Sequence, residues 1–207
     1  MNFLKIKQGA LALAFVCVGI FTTGCCAGTY EVLDSQTEQE LATVNLNDAK
    51  IIINQVEAGK YVSGNKTYDK SGFILSNCIS NMSKQYNGGI KLYNKVLSYD
   101  DMLKEMKGTG FDYLIYASII NWEDHPTEWI LRRDHVTVQI SLTDLKTGKK
   151  LASETFHGFS SELTLGGDHP QDLLAEPLAT VLAQWFKNTK LNAKSFECED
   201  MVYKSDF

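Results

Sequence analysis

Two segments of this chain carry the same Asp-His-Pro triplet. The first is Trp122-Glu123-Asp124-His125-Pro126-Thr127-Glu128-Trp129, and the second is Gly166-Gly167-Asp168-His169-Pro170-Gln171-Asp172-Leu173-Leu174. A carboxylate beside an imidazole offers an oxygen and a nitrogen, the pair that proton transfer and borderline metal ions use. Asp124, His125 and Glu128 with Asp168 and His169 could supply such a site if the two segments converge. Neither has the HExxH spacing that sets two imidazoles on one helical face. A structural reading covers the same residues. Asp168 can cap the turn entering a helix, Gly166-Gly167 can supply left-handed backbone, and Trp122 and Trp129 can close one edge of a core. A third reading makes the glycine pair and the N–H groups after it an anion nest. No catalytic residue, metal or cofactor is assigned on these grounds. Trp122, Asp124, Glu128, Trp129, Asp168 and His169 are instead expected to form a contact surface for a partner or ligand, because aromatics beside charges are typical interface anchors. Ser160 and Ser161 lack a G-x-S-x-G setting, and neither a P-loop nor a GxGxxG motif occurs. His157, on a polar strand, is expected at the surface.

The other residue with chemistry to offer is Cys25. Lys5 and Lys7 are the only charges of a short basic start, Gly9 to Phe21 is nearly unbroken apolar sequence, and Thr22-Thr23-Gly24-Cys25 closes it. The apolar run is short for a bilayer span and no stop-transfer pattern follows, so residues 1–24 read as a signal peptide. Gly24 and Thr23 are the small residues that a lipobox needs before its cysteine, although Thr22 departs from the usual Leu. Cys25 is therefore the expected attachment point for a diacylglycerol and a further acyl chain such as palmitate. Each buried CH₂ contributes roughly 0.8 kcal/mol, so two or three chains hold firmly where one does not. Cys26, rather than Asp, follows the lipidated position, which favours an outer-membrane lipoprotein facing the periplasm.

With a formal net charge of −5 and no Lys/Arg cluster, the chain is a poor nucleic-acid binder, and acyl chains would have to do any membrane anchoring. Cys26, Cys78 and Cys198 remain beyond the signal and the lipid. Three thiols cannot all pair within one chain; a Cys78–Cys198 bridge is open, and nothing has CxxC or metal-finger spacing.

The elements that must position these residues follow from periodicity. Residues 25–48 are polar and read as the lipidated N-terminus and a flexible tether, residues 49–188 as one domain, and residues 189–207 as a polar, acidic tail. Ile51-Ile52-Ile53 suits a strand buried on both faces. Leu75, Cys78, Ile79, Met82 and Tyr86 share one face of a helix over 70–86, and residues 57–70 read as a loop before it. Ile90 to Val96 is a second strand, and Ser98 with Asp101 caps a short helix that Gly108 ends. From Phe111 to Trp122, Leu114, Tyr116, Ile120 and Trp122 would point one way, and Tyr113, Ile115, Ala117 and Ile119 the other. Val136, Val138, Ile140 and Leu142 alternate with polar residues, so that strand should be covered on one face. Lys146-Thr147-Gly148-Lys149 turns into a more polar strand over 150–161, read as an edge, and Glu176-Pro177 opens the last helix. The order is β-α-β-α-β-β-β-α: a single α/β (α+β) domain with a mixed sheet and helices packed on it, parallel at the two crossovers and antiparallel in the closing meander.

The stretch from Asp112-Tyr113-Leu114-Ile115-Tyr116 through Trp122-Glu123-Asp124, Thr127-Glu128-Trp129, Asp134, Val136, Val138 and Gly148-Lys149 resembles an uncharacterised family of proteobacterial lipoproteins, a domain of unknown function. Gly167 to Leu174 and Glu176-Pro177 extend the likeness, while His125-Pro126 departs from the family pattern. The resemblance implies an envelope lipoprotein and no particular activity. The element order also looks like small domains of envelope lipoproteins that assemble secretion pores or activate cell-wall synthases. The combined expectation is an outer-membrane-anchored, non-catalytic module that binds an envelope protein. The alternative is a metal-dependent envelope enzyme or small-ligand binder using the two Asp-His-Pro loops.

Overall fold

A strand buries three isoleucines in a row only when both of its faces are covered, and Ile51-Ile52-Ile53 lie in such a strand. The computed structural model describes residues 28–125, 132–160, 169–187 and 198. In chain order these form β1 (Thr29–Thr37), a 3-10 turn (Gln39–Thr43), β2 (Ile51–Gln55), β3 (Gly59–Lys60), β4 (Thr67–Tyr68) and α1 (Ser71–Lys84). There follow β5 (Ile90–Val96), α2 (Tyr99–Met106), β6 (Tyr113–Glu123), β7 (His135–Asp144), β8 (Lys150–Phe159) and α3 (Ala175–Trp185). Six strands make one mixed sheet in the order β1-β8-β7-β6-β2-β5, and β3 and β4 pair separately within the segment expected to be a loop.

β2 is parallel to both β5 and β6, as the two helical crossovers require, and β6, β7 and β8 form the antiparallel meander. The result is a single α+β domain. Ile51 and Ile53 enter the larger core with the stripe of α1 (Leu75, Cys78, Ile79, Met82) and that of α3 (Leu178, Val181, Leu182, Trp185). Ile52 and Leu114 face the other way, onto Met102 and Met106 of α2. Ser98 caps α2 as expected, accepting the Asp101 N–H at 3.2 Å. Gly148 takes φ +72° in the β7–β8 turn, a conformation that costs glycine little.

Four local expectations give way. Residues 29–43, expected within a tether, are structured: β1 pairs antiparallel with β8, and Leu41 of the following turn is buried. β8 is consequently an interior strand between β7 and β1, and β1 takes the edge. In β6 the ladder shifts between Ile119 and Asn121, a bulge at Ile120. One extra residue reverses the alternation. Trp122 therefore joins Ile115 and Ala117 in the larger core instead of sharing a face with Leu114. The polar face of β7 is also covered in part, since Thr143 is buried and its hydroxyl meets Tyr99 Oη of α2 at 2.9 Å.

Cys78 and Cys198 are joined as a disulfide with Cα atoms 5.2 Å apart, which closes the pairing that the sequence leaves open. The rest of the region 189–207 lies outside the described residues.

Candidate functional site

The meander brings one end of β6 beside the start of β7, and the segment before α3 returns to the same place. Asp124 follows the last residue of β6, Asp134 precedes the first residue of β7, and His169 stands six residues before α3. One ligand-type atom from each of Asp124, Asp134 and His169 lies within 4.8 Å of the others. His169 Nδ1 is 3.4 Å from Asp124 Oδ1.

Each of the three is held through its backbone. Tyr68 Oη accepts the Asp124 N–H at 3.0 Å and donates to the Asp124 carbonyl at 3.1 Å. Asp134 exchanges bonds with Ser160: its N–H donates to Ser160 Oγ at 2.9 Å, and its carbonyl accepts the Ser160 N–H at 3.0 Å. Asp172 closes a turn over His169, accepting its N–H at 2.9 Å through Oδ2. The His125 N–H donates to Asp134 Oδ1 at 2.7 Å, which ties the first Asp-His pair to the third carboxylate.

Burial differs sharply across the group. Asp134 is 7 % exposed, whereas the His169 side chain is about half exposed. Burial pushes the Asp134 carboxyl above its ordinary range; the His125 N–H opposes the shift and the Asp124 charge adds to it. Asp134 is thus the shielded member of the group, and Asp124 stays about one-third exposed.

A second polar group lies alongside. His135 Nδ1 is 3.2 Å from His157 Nε2, the rings are stacked, and His157 Nδ1 meets Thr137 Oγ1 at 2.8 Å. Burial lowers the His135 pKa, with Glu123 opposing. Glu123 Oε2 lies 3.7 Å from His125 Nε2 and joins the two groups. All four histidines of the chain thus gather at one end of the sheet. His157, expected at the surface, is half-buried against a second imidazole.

Of the sequence-derived contact residues, Asp124 and His169 come together. Trp122 does not belong to that surface: it is 2 % exposed, because the β6 bulge turns its indole into the core. Glu128, Trp129 and Asp168 lie outside the described residues, as does Cys25. Sequence reasoning gave Asp134 no chemical role. Its signal is faint, a lone acidic residue before an alternating strand. Ser160, its partner, follows the strand that pairs with that one. A groove of about 430 Å³, lined by Glu57, Lys60, Tyr99 and Tyr116, holds none of the four histidines.

Several solved structures are similar in part to this chain. A PelC dodecamer from Paraburkholderia phytofirmans is similar at 12% identity over 77% of this chain and 93% of that one, with a TM-score of 0.48. Protein XCC0632 from Xanthomonas campestris is similar at 10% identity over 69% of this chain and 84% of that one, with a TM-score of 0.42. Lipoprotein GNA1162 from Neisseria meningitidis gives 17% identity, 66% and 96% coverage, and a TM-score of 0.38. No curated protein matches the sequence. Residues 45–185, which span the sheet from β2, all three helices and the whole Asp124–Asp134–His169 group, match the family model described as a domain of unknown function, DUF4823, and the chain belongs to that family.

Proposed function

We propose that this chain is a lipoprotein of the bacterial cell envelope, anchored through acyl chains on Cys25, whose histidine-rich end meets a protein partner at the membrane surface. The observation that carries the reading is the register of β1. Thr29 lies opposite Phe159, Phe159 opposite His135, and His135 opposite Glu123, so the start of β1 and the candidate site share one end of the sheet. Adjacent strands are ~4.8 Å apart, which puts the start of β1 roughly 14 Å from the end of β6. The four peptide steps from Cys25 to Thr29 reach at most ~14 Å. A chain lipidated at Cys25 holds the Asp124–His169 end toward its own bilayer.

Two further features favour this setting. The Cys78–Cys198 bridge suits an oxidising compartment such as the periplasm. Cys26 after the lipidated position favours the outer membrane over the inner. The role is that of a non-catalytic binding module, with Glu128, Trp129 and Asp168 flanking Asp124 and His169 in sequence.

The test is crosslinking and pull-down from intact cells that carry the native lipoprotein. The expected result is a reproducible envelope partner whose recovery falls in Trp129→Ala and in a variant with ten Gly/Ser residues inserted after Cys26. Equal recovery from all three proteins would overturn the contact surface and its membrane-facing placement. Palmitate labelling that persists in Cys25→Ala would overturn the anchor.

A further inference from the structure

The geometry points to a divalent metal site of the zinc class formed by Asp124, Asp134 and His169. It stands whether or not the chain is anchored at Cys25, because all three ligands belong to the folded domain.

The ligand atoms come from three separate segments and lie within 4.8 Å of one another. An ion held at ~2.0–2.2 Å from each ligand sets them no more than ~4 Å apart, so side-chain adjustment of under ~1 Å completes the shell. Asp134 is nine-tenths buried, and among the described residues its carboxylate accepts one hydrogen bond, from the His125 N–H to Oδ1. It is set beside the carboxylate of Asp124, which is about one-third exposed. A buried carboxylate next to a second one is unfavourable unless something positive lies between them. His169 Nδ1, 3.4 Å from Asp124 Oδ1, faces the same space with a nitrogen that can coordinate when the ring is neutral.

Supporting groups of the kind that orient metal ligands are already in place. Tyr68 grips the Asp124 backbone, His125 orients Asp134, and Asp172 fixes the turn that carries His169. One imidazole and two carboxylates form a borderline donor set. It suits Zn²⁺ better than the all-oxygen cations Ca²⁺ and Mg²⁺, and it offers no thiolate for Cu(I). Three protein ligands leave a fourth position for water or for a side chain of a bound partner. Glu123 and His125 face each other and stay outside the set.

The experiment is titration of the purified, detergent-solubilised, chelator-treated lipoprotein with zinc sulfate, read by competition with a chromogenic chelator. His169→Gln, Asp134→Asn, Tyr68→Phe and His157→Gln are titrated beside it. The expected result is one equivalent of Zn²⁺ at micromolar affinity or tighter, with loss of at least ~10-fold in His169→Gln and Asp134→Asn and about 10-fold in Tyr68→Phe. His157→Gln should bind like the wild type. His169 is half exposed, so its variant folds even if Asp134→Asn does not, and circular dichroism establishes this. Wild-type affinity no better than millimolar would leave an Asp124–His169 ion pair and nothing more. Equal binding by His169→Gln, equal loss in His157→Gln, or displacement of Zn²⁺ by millimolar Ca²⁺ would each overturn the site.

Discussion

Asn54 lies at the point where the backbone pairing of β2 with β6 runs out, just past Ile53 opposite Ile115. Its side-chain amide carries the ladder one step further: Nδ2 donates to the Ala117 carbonyl at 2.9 Å, and Oδ1 accepts the Ala117 N–H at 2.8 Å. Asn54→Ala leaves two buried backbone groups unpaired, and at ~1–3 kcal/mol for each unsatisfied group the expected loss is about 2–6 kcal/mol in urea unfolding. Glu154 is the opposite case. It is 8 % exposed, its carboxyl has no hydrogen bond or ion pair among the described residues, and burial raises its pKa above the ordinary 4.5. The folded state therefore holds this proton at pH values where the unfolded chain has released it. The stability that goes with the proton is complete below the unfolded pKa and is lost as pH rises through the raised one. Glu154→Gln should be more stable than wild type at neutral pH, and the gain should vanish when unfolding is measured near pH 4. A gain that is the same at both pH values would mean that the substitution acts through packing. Asp124 and His169 could be named from their paired triplets, whereas Asp134 could not, because its role depends on a fold-level convergence that local pattern does not encode.

At the scale of elements, α1 comes so close to the segment after β2 that a Cβ on Gly72 would stand 2.3 Å from the Val56 carbonyl oxygen and 2.8 Å from Glu57 backbone. Both obstacles are main chain. Gly72→Ala must push the helix off the sheet, and thermal or urea unfolding should register a loss of about 1–3 kcal/mol or more, although alanine has the better helix propensity. Ser98→Ala removes the cap of α2 and should lower stability by about 1 kcal/mol. These helices were legible because each carries a 3.6-residue apolar stripe or a cap signature. β2 was legible because a short run of three β-branched residues suits a strand covered on both faces. β1 was not: Glu31, Val32, Leu33 and Asp34 are exposed, and an edge strand hydrogen-bonded on one side needs little apolar patterning. Missing β1 made β8 look like an edge and lengthened the supposed tether. The bulge at Ile120 escaped for a related reason, since a strand with apolar residues on both phases gives no sign of where the phase reverses.

For the whole molecule, the Cys78–Cys198 bridge closes a loop with a sequence separation of 120. Loop-closure entropy for that length predicts about 4–5 kcal/mol of stabilisation, so reduction should shift the urea midpoint by an amount comparable with the largest single substitution above. A shift of under ~1 kcal/mol would mean that the reduced, unfolded chain is already constrained. The bridge also divides the sheet into two sets of strands. β5, β6, β7 and β8 belong to a covalent ring, whereas β2, drawn from the chain before Cys78, fits between β5 and β6. The ring acts as a frame with a slot, and β2 is the insert. The walls of that slot are joined through residues 97–112 and stay near one another with or without the bridge; what the bridge shortens, even in the unfolded chain, is the path between α1, which carries Cys78, and α3, which precedes Cys198 in sequence. Refolding from urea should accordingly be faster with the bridge intact, and the difference should shrink when the packing of α3 is weakened by Leu182→Ala, because the tie speeds the meeting of the two helices that it brings together.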